Sequence, residues 1–224
     1  FPNSNLNNPE LLRSNDLYKL KVNENLLHIY LSKLLVKKKI ICVNRLSSEI
    51  GPRALGRRSI IAIASSTEIR DKINKAKGRE DWRPLAPICC DVDYDYFFDG
   101  DIDESIFMLF TNKVKSKKIP GVTHVDNTAR VQCVHDKSDW LYKCIQNLKN
   151  YNEPPVIINT SFNCSGEPIV ENLDESIRSF KNMNFDYLLY NNVLYFEKHN
   201  KRLIETIVEE KPNSIQLIPN KEIA

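Results

Sequence analysis

The chain has 224 residues, of which 42% are hydrophobic and 9% aromatic, so it can form a packed domain and global disorder is excluded. The formal net charge of +3 is too small for nucleic-acid binding by bulk electrostatics, and anion recognition must therefore depend on where individual arginines lie. The longest apolar runs fall well short of the roughly 20 residues that a membrane span needs, and no signal peptide is evident.

Cysteine usage bears on both metal sites and cellular compartment. The six cysteines form no CxxC pair, which argues against a zinc knuckle or ribbon, and Cys89 and Cys90 are adjacent, which disfavours an ordinary disulfide framework. We therefore expect free thiols, a reducing cytoplasmic compartment and no transition-metal site. The first residue is Phe1 rather than methionine, and we expect a fragment of a longer protein or a processed product.

The first half of the chain alternates helical and strand patterns. Residues 1–23 are rich in asparagine and lack hydrophobic periodicity, so we expect an arm or linker there. The elements expected next are a helix over 24–38, a strand over 40–43, a turn-rich loop holding Gly51, Pro52 and Gly56, a strand over 59–64, and a helix from the N-cap Thr67 to Ala76. Lys77 to Pro87 is predicted to be a loop, because it contains two prolines.

The second half continues the alternation. Asp91 to Asp95 is predicted to start a helix rather than a calcium loop, because Tyr96 stands where that loop needs glycine. The elements expected after it are strands over 105–110 and 129–134, a helix over 137–149, a buried strand over 156–158 that leads into the loop Asn159–Pro168, a helix over 173–182, strands over 186–190 and 193–196, and a helix over 202–210. This order predicts a single α/β domain with a mixed sheet over 24–198 and a C-terminal helix and tail over 199–224.

Two segments resemble parts of a nucleotide site. Lys77, Arg79 and Arg83 lie close together in a loop, and Gly78 allows the backbone to approach a ligand. Ser161 and Asn163 supply a hydroxyl and an amide directly after the buried strand. A solvated basic loop and a capped turn are the simpler interpretations of these two segments taken separately.

Two further segments place arginines in turns. Arg53 lies between Gly51 and Gly56, an arrangement typical of an anion-binding backbone nest, and Glu49 beside it is expected to orient an arginine or to form a salt bridge. His124 and Arg130 flank Asp126 in another segment. His124 is either a proton carrier or hydrogen-bond donor to a ligand, or a structural histidine in a turn.

Five stretches in order resemble one family over roughly residues 24–198. They are EIGPRALGRRS (49–59), Arg70-Asp71, KGREDWRPLAP (77–87), THVDNTARVQ (123–132) and NTSFNCSGEPIV (159–170). They are similar to the C-terminal domain of the O-carbamoyltransferases of the nodulation and antibiotic-tailoring type. The resemblance implies a YrdC-like fold, an open twisted mixed sheet flanked by helices.

The resemblance also implies a reaction. The domain would use ATP to activate carbamoyl phosphate as carbamoyl adenylate, releasing pyrophosphate and phosphate, with Mg²⁺ on the leaving pyrophosphate. A separate or missing N-terminal metal-dependent domain would then transfer the carbamoyl group to an acceptor hydroxyl. Motif by motif, the nucleotide-binding residues would be Lys77, Arg79, Arg130, Ser161 and Asn163. Carbamoyl phosphate would be held by Arg53, Arg83 and His124, and the catalytic groups would be Lys77, Arg83, His124 and Arg130.

Two alternatives stay open, and departures from the family pattern bear on the second of them. Leu46-Ser47 stand where the family usually has Gly-Arg, Arg57 replaces a common asparagine, and Asn127 replaces a common glycine. One alternative is a threonylcarbamoyl-adenylate synthase of tRNA modification, which shares the KxR and SxN elements. The other is a degenerate domain that only binds a nucleotide or docks a partner.

Overall fold

The computed structural model describes residues 11–14, 17–51 and 53–210. The α-helices are α1 (Leu27–Val36), α2 (Thr67–Ala76), α3 (Asp91–Phe97), α4 (Trp140–Asn147), α5 (Leu173–Met183) and α6 (Lys201–Glu209). The strands are β1 (Leu11–Ser14), β2 (Leu17–Lys21), β3 (Ile41–Asn44), β4 (Arg58–Ile63), β5 (Ala86–Cys90), β6 (Phe98–Asp99), β7 (Asn112–Val114), β8 (Thr128–Ala129), β9 (Gln132–Val134), β10 (Val156–Ser161), β11 (Tyr187–Tyr190) and β12 (Val193–Phe196). Short 3₁₀ segments connect several of them.

A nine-stranded mixed sheet forms the centre of the domain. Its strand order is β1-β2-β12-β11-β3-β4-β10-β5-β9, and β6-β7-β8 form a separate small sheet. Strand β10 pairs antiparallel with β4 on one side and with β5 on the other. The β3–β11 and β5–β9 pairs are parallel. The predicted α/β class with a mixed sheet is thereby confirmed.

Helices bury both faces of this sheet, which explains why its central strands are hydrophobic on both faces over most of their length. In β10, Ile158 packs into the core cluster that includes α2 and α5 residues such as Ile73 and Phe180. Its neighbour Ile157 packs on the opposite face with α1 and α4 residues such as Leu34 and Ile145. The alternation of a strand places consecutive side chains in the two different cores.

The structure differs from the sequence prediction at several places. Residues 17–21, expected to be part of an arm, form β2 and bury Leu17 and Leu20, whereas 1–10 and 211–224 lie outside the described residues. Residues 105–110 are not a strand, and β5 begins inside the predicted loop. Ser66, not Thr67, caps α2, because its hydroxyl accepts from the Ile69 amide. No described helix has the length and apolar character needed to cross a bilayer.

Helix α1 ends in a turn that favours glycine but contains lysine. The amides of Lys38 and Lys39 donate to Leu35 O and Leu34 O, at 2.8 and 3.1 Å. This is the Schellman pattern, and Lys38 occupies its left-handed position with φ of 56°. A side chain there is strained, because its Cβ approaches the following carbonyl oxygen.

Lys38→Gly is therefore expected to raise the free energy of unfolding by about 0.5–1 kcal/mol. Lys37→Gly is the matched control, since Lys37 has φ of −79° and glycine there adds only backbone entropy to the unfolded state. That control should lower the free energy by about the same amount. Urea denaturation measures both, and a destabilised Lys38→Gly variant would contradict the strain argument.

Candidate active site at one edge of the sheet

Strand directions bring the predicted polar segments to the same edge of the sheet. Strand β3 ends at Asn44, opposite Arg58 at the start of β4. Strand β10 ends at Ser161, and β5 begins beside Asn159. Since β9 is parallel to β5, its first residue Gln132 lies at this edge as well. The loops that hold Arg53, Lys77–Arg83, His124–Arg130 and Ser161–Asn163 therefore converge there.

Two of these loops form a cleft of about 270 Å³. The cleft brings together the two nucleotide-like segments that were predicted separately. Its lining residues are Lys77, Gly78, Arg79, Glu80, Arg83, Asn163, Cys164, Ser165 and Gly166. Three of them carry positive charge, and Glu80 alone among these residues carries a carboxylate, so the cleft favours an anion.

The end of helix α2 shapes the first wall of the cleft. Lys77 is the C-cap, and Gly78 follows with φ of 62°, so the Arg79 amide can turn back to Asn74 O at 2.9 Å. A Cβ on Gly78 would lie 3.5 Å from Cβ of Ser165 on the opposite wall. Glycine thus serves both the left-handed turn and the close approach of the two walls.

Lys77 connects the two walls through its amine. The side chain is buried, and Nζ donates to Ser161 O at 2.5 Å, to Asn163 O at 2.8 Å and to Asn163 Oδ1 at 3.0 Å. Burial and the nearby Arg79 lower the pKa of Lys77 to about 7. A neutral amine has only two hydrogens, so the three acceptor oxygens favour the ammonium form.

Ser161 and Asn163 are also engaged inside their own turn. The Ser161 hydroxyl donates to Asn163 Oδ1 at 2.7 Å, and Asn163 Nδ2 donates to Glu167 O at 2.7 Å. The side chains predicted to bind the nucleotide therefore form a connected network in this structure. It is a well-defined polar turn, built on the end of a buried strand.

Arg79 and Arg83 leave more of their hydrogen-bonding capacity open. Arg79 Nη1 donates to Thr160 Oγ1 at 3.3 Å, and burial together with Arg83 lowers the pKa of Arg79. Arg83 is more than half exposed and forms a 3.4 Å ion pair with Glu80. Both guanidinium groups lie where an anion in the cleft would meet them.

Arg53 and Arg130 form a second positive group at the same edge. Both are exposed, and burial of part of Arg130 together with the nearby Arg53 lowers the pKa of Arg130. Within the described part of the chain neither guanidinium has an ion-pair partner. Two like charges held close together without a carboxylate are typical of an anion site.

His124 lies on the turn that precedes Arg130. Its Nδ1 is 3.1 Å from Asp126 Oδ1, and Asp126 also accepts from the amide and hydroxyl of Thr128. Those Thr128 bonds, with a smaller effect of His124, lower the pKa of Asp126. A carboxylate on Nδ1 favours a proton at that nitrogen, which leaves Nε2 as the acceptor of the neutral ring.

Glu49 has a role that the sequence did not predict. It was expected to orient an arginine or to form a salt bridge, but its Oε1 accepts from backbone amides of the Arg53 loop. The distances are 2.7 Å to Leu55 N, 2.6 Å to Arg57 N and 3.3 Å to Arg58 N. The carboxylate therefore fixes the loop's backbone, as a capping residue fixes a helix terminus.

Two buried side-chain amides, those of Asn159 and Gln132, hold the backbone of the same loop. Sequence reasoning missed both. Asn159 Nδ2 donates to Ala54 O at 2.8 Å and to Gln132 Oε1 at 2.9 Å, and Gln132 Nε2 donates to Leu55 O at 2.8 Å. The only available signal was a polar residue within each of two apolar strand patterns. Asn159 and Thr160 also separate the two positive groups, because Thr160 contacts Arg79 and Asn159 contacts the Arg53 loop.

The described residues contain no group of three or more His, Cys, Asp or Glu side chains placed to hold a metal ion. Glu80 is the carboxylate that lines the cleft.

A family model described as Carbamoyltransferase C-terminus matches residues 32–197. An uncharacterized protein of Methanocaldococcus jannaschii is 41% identical over 170 residues, which cover 73% of this chain and 32% of that protein. Nodulation protein NolO of Bradyrhizobium diazoefficiens is 39% identical over a match that covers 63% of this chain and 27% of that protein. The 3'-hydroxymethylcephem-O-carbamoyltransferase of Streptomyces clavuligerus is 34% identical, with corresponding shares of 67% and 29%. The chain thus spans about a third or less of each relative's length.

Solved structures share the fold. Full-length HypF in its phosphate- and nucleotide-bound form has a TM-score of 0.53 and 22% identity, covering 75% of this chain and 25% of that one. T. kodakarensis HypF has a TM-score of 0.58 and 17% identity, covering 80% of this chain and 22% of that one. P. abyssi Sua5 complexed with L-threonine has a TM-score of 0.54 and 16% identity, covering 76% of this chain and 48% of that one. These likenesses confirm the predicted YrdC-like fold.

Removing the Glu49 carboxylate tests its role in the Arg53 loop. Glu49→Ala is expected to lower the free energy of unfolding by about 1–2 kcal/mol, because three amides lose a charged acceptor, and to speed hydrogen exchange at Leu55 and Arg57. The free energy of unfolding of Glu49→Gln should lie between those of the wild type and Glu49→Ala. Glu205→Ala, which removes an exposed helical ion pair, should change stability by less than about 0.5 kcal/mol. Unchanged exchange in Glu49→Ala would refute the capping role.

Proposed function

This chain belongs to the Carbamoyltransferase C-terminus family, and from that premise we propose that it activates carbamoyl phosphate with ATP to give carbamoyl adenylate. One carbamoyl phosphate, one ATP and one water yield carbamoyl adenylate, pyrophosphate and phosphate. Water cleaves carbamoyl phosphate to carbamate and phosphate. A carbamate oxygen then attacks the α-phosphorus of ATP, and pyrophosphate leaves.

The observation that carries the proposal is the cleft between the two walls. It combines Lys77, Arg79 and Arg83 with the polar turn of Ser161 and Asn163, and it has the charge that a triphosphate requires. Adenylyl transfer needs fixed positive groups where charge develops on the phosphate oxygens. We therefore assign the ATP phosphates to this cleft.

Carbamoyl phosphate is assigned to the second positive group and the outer part of the cleft. Arg53 and Arg130 would bind its phosphate, while Arg83, which is exposed and lines the cleft, would bridge to the nucleotide. His124, oriented by Asp126, would accept or donate a proton during cleavage. Glu80 would help to hold Mg²⁺ in the cleft, and that ion would supply further charge neutralisation on the leaving pyrophosphate.

Transfer to an acceptor hydroxyl is assigned to a partner domain or subunit. The relatives extend well beyond the part that this chain matches. Exposed apolar side chains on the loops at the site edge support a protein partner there. They include Ile50, Trp82, Phe107 and Val125. The acceptor would then be recognised mainly by the partner.

The reaction is tested by pyrophosphate release. The chain mixed with ATP and carbamoyl phosphate should release pyrophosphate, whereas threonine and bicarbonate in place of carbamoyl phosphate should give none. Arg83→Ala is expected to lower the rate about 100-fold, because it removes a guanidinium from the reacting phosphates. Arg202→Ala, on the exposed side of α6, should match the wild type.

Three outcomes would contradict the proposal. Release only with threonine and bicarbonate would favour a threonylcarbamoyl-adenylate synthase. A second outcome is that calorimetry shows ATP binding while neither mixture releases pyrophosphate, even after the N-terminal domain of a full-length relative is added. That result would favour a degenerate binding domain. An equal loss in Arg202→Ala would show that the Arg83 effect is not specific to the site.

A further inference from the structure

Lys77 has no hydrogen left for a ligand. Its ammonium has three hydrogens, and the structure supplies three oxygen acceptors between 2.5 and 3.0 Å from Nζ. The residue is only 2% exposed, although it borders the cleft. Arg79, on the same wall, makes one side-chain hydrogen bond, to Thr160. The two cations therefore differ in what they can offer an anion.

All three acceptors belong to the turn that forms the opposite wall, residues 161–167. Two are the backbone carbonyls of Ser161 and Asn163, which point inward to the amine. Glu167 closes the turn, because its amide donates to Cys164 O and its carbonyl accepts from Asn163 Nδ2. With these carbonyls directed at Lys77, the turn has a fixed inner and outer side.

Three consecutive backbone amides of the turn have no hydrogen-bond acceptor within the described part of the chain. Among the described residues, no acceptor pairs with the backbone N–H groups of Cys164, Ser165 or Gly166, and all three residues line the cleft. Gly166 has φ of 76°, a left-handed conformation that turns successive amides toward one side. Free backbone amides beside Arg79 and Arg83 are suitable donors for phosphate oxygens.

We propose that Lys77 is a positioning residue: it fixes the 161–167 turn so that the amides of residues 164–166, together with Arg79 and Arg83, bind a phosphate group. The statement that this phosphate belongs to a nucleotide rests on the function proposed above. The positioning role rests only on the contacts of Lys77. Lys77 thus acts on the ligand through the turn and not by direct contact.

Cys164 reports on the turn. It lies within the turn and is partly exposed, while the other five cysteines are buried. Its Sγ is 3.9 Å from Ser179 O, and burial and Glu167 raise the pKa of Cys164, so its thiol should react slowly while the turn is closed. Reaction with a thiol reagent therefore measures opening of the turn, and Cys164→Ser should abolish the signal.

The experiment compares Lys77→Met with Arg79→Met, each losing one positive charge from the same cleft. Inorganic pyrophosphate is the ligand, and labelling of Cys164 and hydrogen exchange over 161–167 are the readouts for the turn. Lys77→Met should raise labelling and exchange at least tenfold and weaken pyrophosphate binding at least tenfold. Arg79→Met should weaken binding by a similar factor and leave labelling and exchange at wild-type rates.

Asn163→Ala keeps the experiment decisive if Lys77→Met fails to fold. It removes Oδ1 and the bond to Glu167 O while Lys77 retains its charge, and it should open the turn and weaken pyrophosphate binding. Lost binding in Lys77→Met with unchanged labelling and exchange would show that Lys77 is a direct ligand and overturn the proposal. An open turn in either variant with wild-type affinity would overturn it too. None of these readouts uses carbamoyl phosphate, so failure of the pyrophosphate-release assay alone would count only against the proposed reaction.

Discussion

The site depends on the last three residues of strand β10. Asn159 holds the Arg53 loop through Ala54 O, Thr160 accepts from Arg79, and Ser161 O accepts from Lys77. Successive side chains of a strand point to opposite faces, so this one strand end contacts segments arriving from both sides of the sheet. Its place between β4 and β5 buries it on both edges. A rigid central strand therefore sets the spacing of loops that are far apart in sequence.

The charges at this edge are arranged differently from those elsewhere in the fold. Arg70, on helix α2, pairs with Asp71 at 2.8 Å, as structural arginines commonly do. Arg79 and Arg130, by contrast, lie near further arginines, and burial together with those neighbours lowers the pKa of each. Gathering like charges costs folding energy that the domain does not recover internally. A bound anion would offset that cost, which supports the proposed phosphate site.

Sequence patterns predicted most of the helices and the apolar strands, because burial on both faces leaves a continuous hydrophobic run. The sequence patterns failed where a proline or an irregular spacing interrupts the hydrophobic pattern expected of a strand. Strand β5 contains Pro87, paired with Ile158, and proline argues against a strand between two others. Strand β2 buries Leu17 and Leu20, which are three residues apart and break the alternation expected of a strand. The site's arginines were visible as motifs. Gln132 and Asn159, however, act through backbone groups of the distant Arg53 loop, and Glu49 acts through backbone amides six to nine residues further along its own loop, and no local pattern encodes either kind of contact.

The departures from the family pattern fall at positions where backbone shape matters more than the side chain. Leu46 and Asn127 stand where glycine is common, and both adopt left-handed φ angles, of 57° and 60°. Asparagine tolerates that conformation well and leucine less so, yet the turn is kept in both cases. Ser47 replaces an arginine, and Arg57 Nη1 donates to Ser47 O at 3.5 Å, so a guanidinium still lies beside position 47 although residue 57 supplies it. The loop over 46–57 thus keeps a left-handed turn and a guanidinium beside position 47 through different residues, which supports the proposed anion site over a degenerate domain.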